Sequence, residues 1–149
     1  MDKLKLRQAT DLDYEFAYET KKTAFRQYIE QVWGWDEEKQ RRLHERRFRS
    51  QDVQVIEVMG VDVGIIAIVR EPDCIKIKQI FILPEYQSRG IGRACVRQVI
   101  REAATLEVPV RLQVLKVNNH AVAFFGNMGF RRTDESDTHI TMERLSETT

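Results

Sequence analysis

One segment in the middle of the chain combines three structural signals in close succession. A run of apolar, largely β-branched residues ends at Pro84, glycines follow at Gly90 and Gly92, and a helical apolar pattern begins there. A strand, a tight loop and a helix N-terminus therefore succeed one another directly. The first amides of such a helix lack intrahelical acceptors, and glycines let a ligand approach the backbone closely. The segment predicts an anion site, best matched by phosphate or pyrophosphate, with added charge from Arg89 and Arg93.

Two common phosphate-binding fingerprints do not fit this segment. A Walker loop needs a Gly-Lys-Ser/Thr ending, which the segment lacks. The Rossmann fingerprint needs Gly or Ala where Cys95 stands, and it needs a preceding βαβ unit with a parallel strand. Taken alone, the glycine pair would favour a helix that merely begins with glycines.

The periodicity of apolar residues predicts an α/β fold with a mixed sheet. Short turns separate the β-branched runs in the middle of the chain, which is typical of an antiparallel meander. The predicted strands lie near 4–6, 53–58, 61–69, 75–83, 110–115, 130–133 and 138–145, and the helices begin near 11, 36, 90 and 118. The order is β-α-α-β-β-β-α-β-α-β-β. No linker divides the 149 residues, so we expect one domain over 1–149.

The composition excludes several classes of function. A net charge of +1 leaves no excess of cations for an obligate nucleic-acid partner. No run approaches the ~18 apolar residues of a membrane span, and the first residues lack the apolar core of a signal peptide. We therefore expect a cytoplasmic protein with no membrane partner. Cys74 and Cys95 form no CxxC pair and the histidines are dispersed, so we expect no metal site.

The second predicted helix is rich in arginine and lysine. It would serve either as a basic arm for an anionic partner or as a solvated face beside acidic neighbours. The second interpretation is favoured because charge runs usually lie on solvated faces.

Two motifs resemble one enzyme family. Residues 87–92, QSRGIG, match the (Q/R)xxGxG signature that opens the central helix of the GCN5-related N-acetyltransferases (GNAT). Residues 118–130, NNHAVAFFGNMGF, resemble the NxxAxxxYxxxGF segment of the same family, with one strand between the two helices. The order of elements resembles that family over residues 3–145. The resemblance implies a mixed, mostly antiparallel sheet flanked by helices, and acetyl-CoA as co-substrate.

The resemblance also implies how acetyl-CoA is held. Two adjacent strands, ending near Leu83 and Leu115, would splay apart to admit the thioester. The pyrophosphate would lie on the main-chain amides of residues 87–92, and the pantetheine arm would run beside the strand that precedes them. The implied cofactor-binding residues are Ile80, Ile82, Gln87, Ser88, Arg89, Gly90, Ile91, Gly92, Arg93, Asn118 and Phe125.

The chain departs from the family pattern at Phe125. Many members carry a tyrosine there, proposed to protonate the leaving thiolate, whereas phenylalanine has no hydroxyl to donate. We expect Phe125 to pack in the fold or to wall the acetyl group instead. A thiol has a reference pKa of about 8.5, so its thiolate is a fair leaving group without a dedicated acid.

The amine needs a base, because an alkylamine with a pKa near 10.4 is almost entirely protonated at pH 7. The strand that enters the glycine loop offers Lys76, Lys78 and Gln79 rather than a carboxylate. His139 is the candidate base, and the alternative is an ordinary strand histidine. The main-chain N–H of Ile82 is the candidate donor to the oxyanion.

The first two helices usually select the substrate in this fold. Tyr28, Trp33 and Trp35 would form an aromatic wall for an apolar or cationic amine, and the alternative is packing between the helices. The carboxylates of Glu37 and Glu38 would instead attract the ammonium group.

These expectations favour an N-acetyltransferase that acts on a small-molecule primary amine. Direct attack in a ternary complex is favoured over ping-pong transfer, because neither cysteine stands where an acyl carrier should. One alternative is a catalytically silent acyl-CoA-binding regulatory module. Another is a protein acetyltransferase acting on lysines or N-termini. The resemblance also leaves a homodimer open.

Overall fold

A computed structural model describes residues 3–146 of the chain. Its elements follow the predicted order, with 3₁₀ turns added at Asp11–Asp13 and Pro84–Tyr86. The strands are β1 (Leu4–Gln8), β2 (Asp52–Val58), β3 (Val61–Glu71), β4 (Cys74–Ile82), β5 (Val110–Leu115), β6 (Arg131–Glu135) and β7 (His139–Arg144). The helices are α1 (Tyr14–Val32), α2 (Glu37–Ser50), α3 (Ile91–Leu106) and α4 (Asn119–Asn127).

The strands form one sheet in the order β1-β2-β3-β4-β5-β7-β6. All neighbours are antiparallel except β4 and β5, which confirms the predicted mixed, mostly antiparallel sheet. The parallel pair is short, because only Ile75–Ile77 face Val110–Leu112 in register. Beyond that register the two strands continue without pairing to each other, and the sheet opens into a cleft.

Side chains cap the chain at two places where a helical segment begins. The main-chain N–H of Thr10 donates to the carboxylate of Asp13 at 2.9 Å, and the Thr10 hydroxyl accepts from the Leu12 amide at 3.3 Å. The Asp36 carboxylate accepts from the Lys39 amide at 3.1 Å. These bonds satisfy amides at the start of the 3₁₀ turn and of α2. The 3₁₀ turn begins at the predicted residue, Asp11, and leads into α1 at Tyr14, three residues later than predicted, whereas α2 begins directly after Asp36 as predicted.

Helices cover both faces of the sheet. The main apolar core lies between the sheet and helices α3 and α4, and it includes Ile66, Ile77, Val96 and Phe125. Side chains alternate along a strand, so their neighbours point to the opposite face. There α1 covers β3 and β4, and the ring of Phe25 lies 5.1 Å from that of Phe81.

The basic helix α2 is largely a solvated face, as predicted. Arg41 donates to Glu15 at 2.7 Å, and Arg42 donates to Glu38 at 2.9 Å. Exposed pairs of this kind contribute little stability, about 0–1 kcal/mol each. Within residues 3–146, no helix is long and apolar enough to span a membrane.

Candidate active site

The edge of β4 that faces the cleft presents main-chain groups. The N–H of Leu83 donates to the Val63 carbonyl of β3 at 2.9 Å. Because main-chain groups alternate sides along a strand, Ile80 and Ile82 turn theirs away from β3 and toward the cleft. The side-chain amide of Gln87 donates to the Ile82 carbonyl at 2.9 Å, so this carbonyl already has a partner. The N–H of Ile82 faces the opening between the strands.

The loop after β4 contains a row of amides that are not used within the protein. Ser88 and Gly90 both adopt left-handed backbone conformations, with φ of 63° and 81°. No side chain caps α3, and the Gly90 carbonyl accepts from the Ala94 amide at 3.1 Å. In the described part of the chain, the amides of residues 88–93 have no protein acceptor. Such a row of free amides at the positive end of a helix is suited to an anion.

One of the amides predicted to bind pyrophosphate, in residues 87–92, already has a hydrogen-bond partner within the protein. The Gln87 N–H donates to the Pro84 carbonyl at 3.2 Å and closes the 3₁₀ turn. The available donors therefore begin at Ser88. Arg89 and Arg93 flank the row with exposed guanidinium groups, and Arg89 lies over the Tyr86 ring at 5.6 Å.

Helix α4 closes the same side of the cleft. The side-chain oxygen of Asn118 accepts from the Ala121 amide at 3.1 Å, which leaves its NH₂ group as a donor. A Cβ placed on Gly92 would lie 3.6 Å from the ring of Phe124, so the start of α3 packs closely against α4. Phe125 is only 5% exposed and packs against Phe124 and Phe130, which places it in the apolar core.

Aromatic side chains border the other side of the cleft. Tyr28 lies 5.6 Å from Phe25, which itself contacts β4. Trp33 is 56% exposed, and its ring lies 6.0 Å from the imidazole of His139. His139 pairs with Leu115 at the end of β5, so the structure brings the candidate base to the mouth of the cleft. The Nδ1 atom of His139 lies 2.8 Å from the Thr138 hydroxyl.

Trp35 lies apart from this aromatic group. Its indole N–H donates to the Glu37 carboxylate at 2.6 Å, and Tyr18 donates to the same carboxylate at 2.9 Å. Lys22 completes the cluster with an ion pair of 3.1 Å. The Trp35 hydrogen bond is the main reason that the pKa of Glu37 falls to about 2, so this carboxylate stays ionised and is already partnered. Glu38 is engaged by Arg42.

Two buried polar residues belong to α1 and β4, which pack against each other. Gln79 of β4 is 7% exposed and donates to the side-chain oxygen of Gln51 at 2.7 Å. Lys21 of α1 is 3% exposed, and sequence reasoning missed it. The available signal was its position, because Lys21 stands one helical turn before Phe25 on the sheet-facing side of α1. A lysine at a core position of an amphipathic helix is rare and points to a special role.

A family-wide comparison matches residues 13–130 to the acetyltransferase (GNAT) family. The chain belongs to the GNAT family. This confirms the resemblance of the two motifs and makes the chain an acetyl-CoA-dependent N-acetyltransferase. No curated protein is similar enough in sequence to be matched.

Solved GNAT structures share the fold at low sequence identity. PaiA N-acetyltransferase from Thermoplasma acidophilum, in complex with coenzyme A, has a TM-score of 0.77 at 14% identity, covering 95% of this chain and 98% of its own. Ribosomal-protein-S18-alanine N-acetyltransferase from Escherichia coli has a TM-score of 0.74 at 18% identity, with coverages of 98% and 96%. Arabidopsis thaliana Naa50, in complex with a bisubstrate analogue, has a TM-score of 0.73 at 15% identity, with coverages of 95% and 98%.

Proposed function

We propose that this GNAT protein, as one domain, moves the acetyl group of acetyl-CoA to a small-molecule primary amine by direct attack in a ternary complex. The observation that carries the proposal is the cleft between β4 and β5, which has different chemistry on its two sides. Unpaired amides of residues 88–93 lie on one side, and Trp33 and His139 lie on the other. Two substrates can therefore meet from opposite sides.

The coenzyme side supplies binding through the backbone. The open amides from Ser88 to Arg93 would hold the diphosphate, and Arg89 and Arg93 would add positive charge. The cleft-facing main chain of Ile80 and Ile82 and the NH₂ group of Asn118 would hold the pantetheine arm. Acetyl-CoA itself supplies the thioester, whose carbonyl oxygen would accept a hydrogen bond from the Ile82 N–H as charge develops on it.

The acceptor side supplies orientation and a base. Trp33 and Tyr28 would pack on the carbon chain or the cation of the amine. His139 would take a proton from the ammonium group, so that the free nitrogen forms the bond to the acetyl carbon. The nitrogen then gives up a second proton to water as the carbon–sulfur bond breaks, and the thiolate takes a proton from water in return. Each proton and electron pair is then accounted for without a tyrosine at Phe125.

The two cysteines argue for the direct route. Cys74 and Cys95 are both fully buried, at 0% exposure. Burial raises the pKa of Cys95 to about 12, so its thiolate is disfavoured at neutral pH. Neither thiol fits the exposed, low-pKa setting of an acyl carrier.

The experiment is a thiol-release assay with acetyl-CoA and a panel of primary amines. We expect release of free coenzyme A that depends on the amine, and unchanged turnover in the Cys74→Ala/Cys95→Ala double variant. An acetyl-cysteine trapped from the parent protein would contradict the direct route. Peptides accepted in preference to every small amine would contradict the small-molecule assignment.

A silent acyl-CoA-binding module is the second candidate. It is favoured by Phe125 in the core and by Gln79, rather than a carboxylate, on the acceptor face of β4. This candidate predicts coenzyme A binding by calorimetry together with no thiol release for any amine. The same assay therefore separates the two candidates.

A further inference from the structure

The hairpin between β6 and β7 holds the backbone of His139 at several points. The main-chain N–H of His139 donates to the Ser136 hydroxyl oxygen at 3.0 Å, and its carbonyl accepts from the Ser136 N–H at 2.8 Å. The Thr138 carbonyl accepts from the N–H of Lys116 at 2.9 Å, which ties the turn to the end of β5. The backbone that carries the imidazole is therefore fixed before any substrate arrives.

The imidazole ring of His139 is held as well, by two different contacts. Its Nδ1 atom lies 2.8 Å from the hydroxyl oxygen of Thr138, which is hydrogen-bonding distance. The indole of Trp33 lies beside the ring, with the two planes tilted by 38° and the ring centroids 6.0 Å apart. The hydrogen bond restricts rotation of the ring, and the indole limits the space into which the ring could turn.

The second ring nitrogen of His139 is left for another partner. In the described part of the chain, Nε2 has no hydrogen bond, and it is not one of the buried polar atoms that lack partners. Those atoms lie elsewhere, on Thr20, Gln40 and Asp52. Nε2 is therefore open to solvent. Because the two nitrogens of an imidazole point in different directions, a substrate can reach Nε2 without displacing Thr138.

The contact with Thr138 favours one of the two neutral forms of the ring for proton transfer. A neutral imidazole carries hydrogen on one nitrogen and a lone pair on the other, whereas the charged ring carries hydrogen on both. If Nδ1–H donates to Thr138, the same hydrogen bond persists when Nε2 takes a proton. The other tautomer puts the lone pair on Nδ1, where the Thr138 hydroxyl already occupies the approach. Only the first tautomer lets the open nitrogen act as a base.

We propose that Thr138 is a positioning residue that holds His139 as the Nδ1–H tautomer, so that Nε2 takes the proton from the acceptor. The proposal rests on the proposed function, in which His139 is the base. The proton moves from the ammonium nitrogen to the lone pair of Nε2, and the N–H electron pair stays on the substrate nitrogen. No carboxylate of the described residues pairs with the ring, so the hydroxyl supplies the orienting contact that a catalytic histidine needs.

The kinetic test removes the Thr138 hydroxyl and keeps the shape of the side chain. Thr138→Val retains the main-chain bond to Lys116 and suits a strand end. In the thiol-release assay we expect kcat to fall at least about tenfold, because a hydrogen bond to the imidazolium formed in the reaction is lost. KM for the amine and coenzyme A affinity should stay unchanged, because the hydroxyl acts on His139 and not on either substrate. Thr138→Ser, which keeps a hydroxyl, should restore most of the parent kcat.

The matched control is Thr133→Val, on the other strand of the same hairpin. The Thr133 hydroxyl donates to the Thr141 carbonyl at 3.5 Å and does not contact His139, so its loss should leave kcat at the parent value. An equal fall of kcat in Thr133→Val and Thr138→Val would overturn the proposal, because weakening of the hairpin would then explain both. A parent-like kcat in Thr138→Val, or no rescue by Thr138→Ser, would also overturn it.

A spectroscopic measurement tests the tautomer without turnover. Nitrogen NMR shifts distinguish a ring nitrogen that carries hydrogen from one that carries a lone pair, and the His139 signals are those that disappear in His139→Gln. At a pH where the ring is neutral, we expect hydrogen on Nδ1 in the parent protein and a mixture of tautomers in Thr138→Val. Hydrogen on Nε2 in the parent protein would overturn the proposal. Absence of thiol release with every amine would reject the proposed function, while these spectra would still report on Thr138.

Discussion

The two sides of the cleft are built from different parts of the polypeptide. The side proposed to hold the coenzyme consists mainly of backbone donors, from Ser88 to Arg93, in one uninterrupted stretch of chain. The side proposed to hold the acceptor consists of side chains from separate elements, such as Trp33 after α1 and His139 at the start of β7. The difference teaches that a backbone site tolerates many side chains, whereas a side-chain site depends on each one. Substitutions on the first side should therefore change coenzyme A affinity, and substitutions on the second side should change kcat/KM or KM for the amine.

The largest effect is expected from Gly90→Asp on the coenzyme side. Gly90 has a φ of 81°, a conformation that Asp and Asn tolerate better than other non-glycine residues. A carboxylate about 4 Å from a phosphate charge is repelled by about 4 kcal/mol at an effective dielectric constant of 20. Calorimetry should show coenzyme A affinity reduced at least about 100-fold.

Gly90→Asn is the matched control, because it has the same shape and backbone strain without the charge. It should lose less than about tenfold in affinity. An equal loss in both variants would assign the effect to the loop conformation rather than to an anion site.

His139→Gln should show the next largest effect, and on catalysis alone. Removing a general base typically costs about 100-fold or more in rate. We expect kcat/KM to fall by about 100-fold while coenzyme A affinity stays the same, since His139 lies on the acceptor side. His120→Gln, in the exposed first turn of α4, should leave kcat/KM close to the parent value. A normal kcat/KM in His139→Gln would mean that His139 is an ordinary strand histidine and not the base.

Trp33→Ala should have a moderate effect on acceptor binding. An exposed aromatic ring facing an amine contributes about 0.5–2 kcal/mol, so KM for the amine should rise about tenfold with little change in stability. Trp35→Ala provides the comparison, because its indole is bonded to Glu37 away from the cleft. It should lower the melting temperature and leave KM nearly unchanged. If Trp35→Ala raised the KM and Trp33→Ala did not, the acceptor site would lie beside Trp35 instead.

The smallest effect concerns the pH dependence of stability. Burial lowers the pKa of Lys21 to about 7, whereas an unfolded lysine titrates near 10.4. Between about pH 7 and 8.5 the unfolded chain binds this proton and the folded chain does not, so the free energy of unfolding rises with pH. The slope from this group reaches about 1.4 kcal/mol per pH unit. Urea titrations should show that Lys21→Met loses this slope and Lys22→Met keeps it.

Local chemistry explains what sequence reasoning predicted well. The start of the 3₁₀ turn that leads into α1 follows from Thr10, and the start of α2 follows from Asp36, because their side chains bond nearby amides. The two GNAT motifs predicted the loop and the order of strands and helices around it. These features depend on contacts within a few residues, which a linear pattern records.

Contacts between distant segments of the chain explain what sequence reasoning missed. The amide of Gln87 was expected to be open, yet the 3₁₀ turn at Pro84 takes it. Trp33 and Trp35 look equivalent in sequence, but only Trp33 meets β7. The burial of Lys21 depends on how α1, α2 and β4 pack together, and no local rule places a lysine there.

The sequence by itself determined the family and the coenzyme through its two motifs. It also determined the glycine-containing loop at the start of α3, because glycine spacing and helix capping act over neighbouring residues. Tertiary structure decided which side chains lie together at the cleft, which tryptophan contacts His139 and which lysine is buried. The physical reason is that burial and charge environment are properties of packed elements, and they arise only when residues far apart in the chain exclude water together.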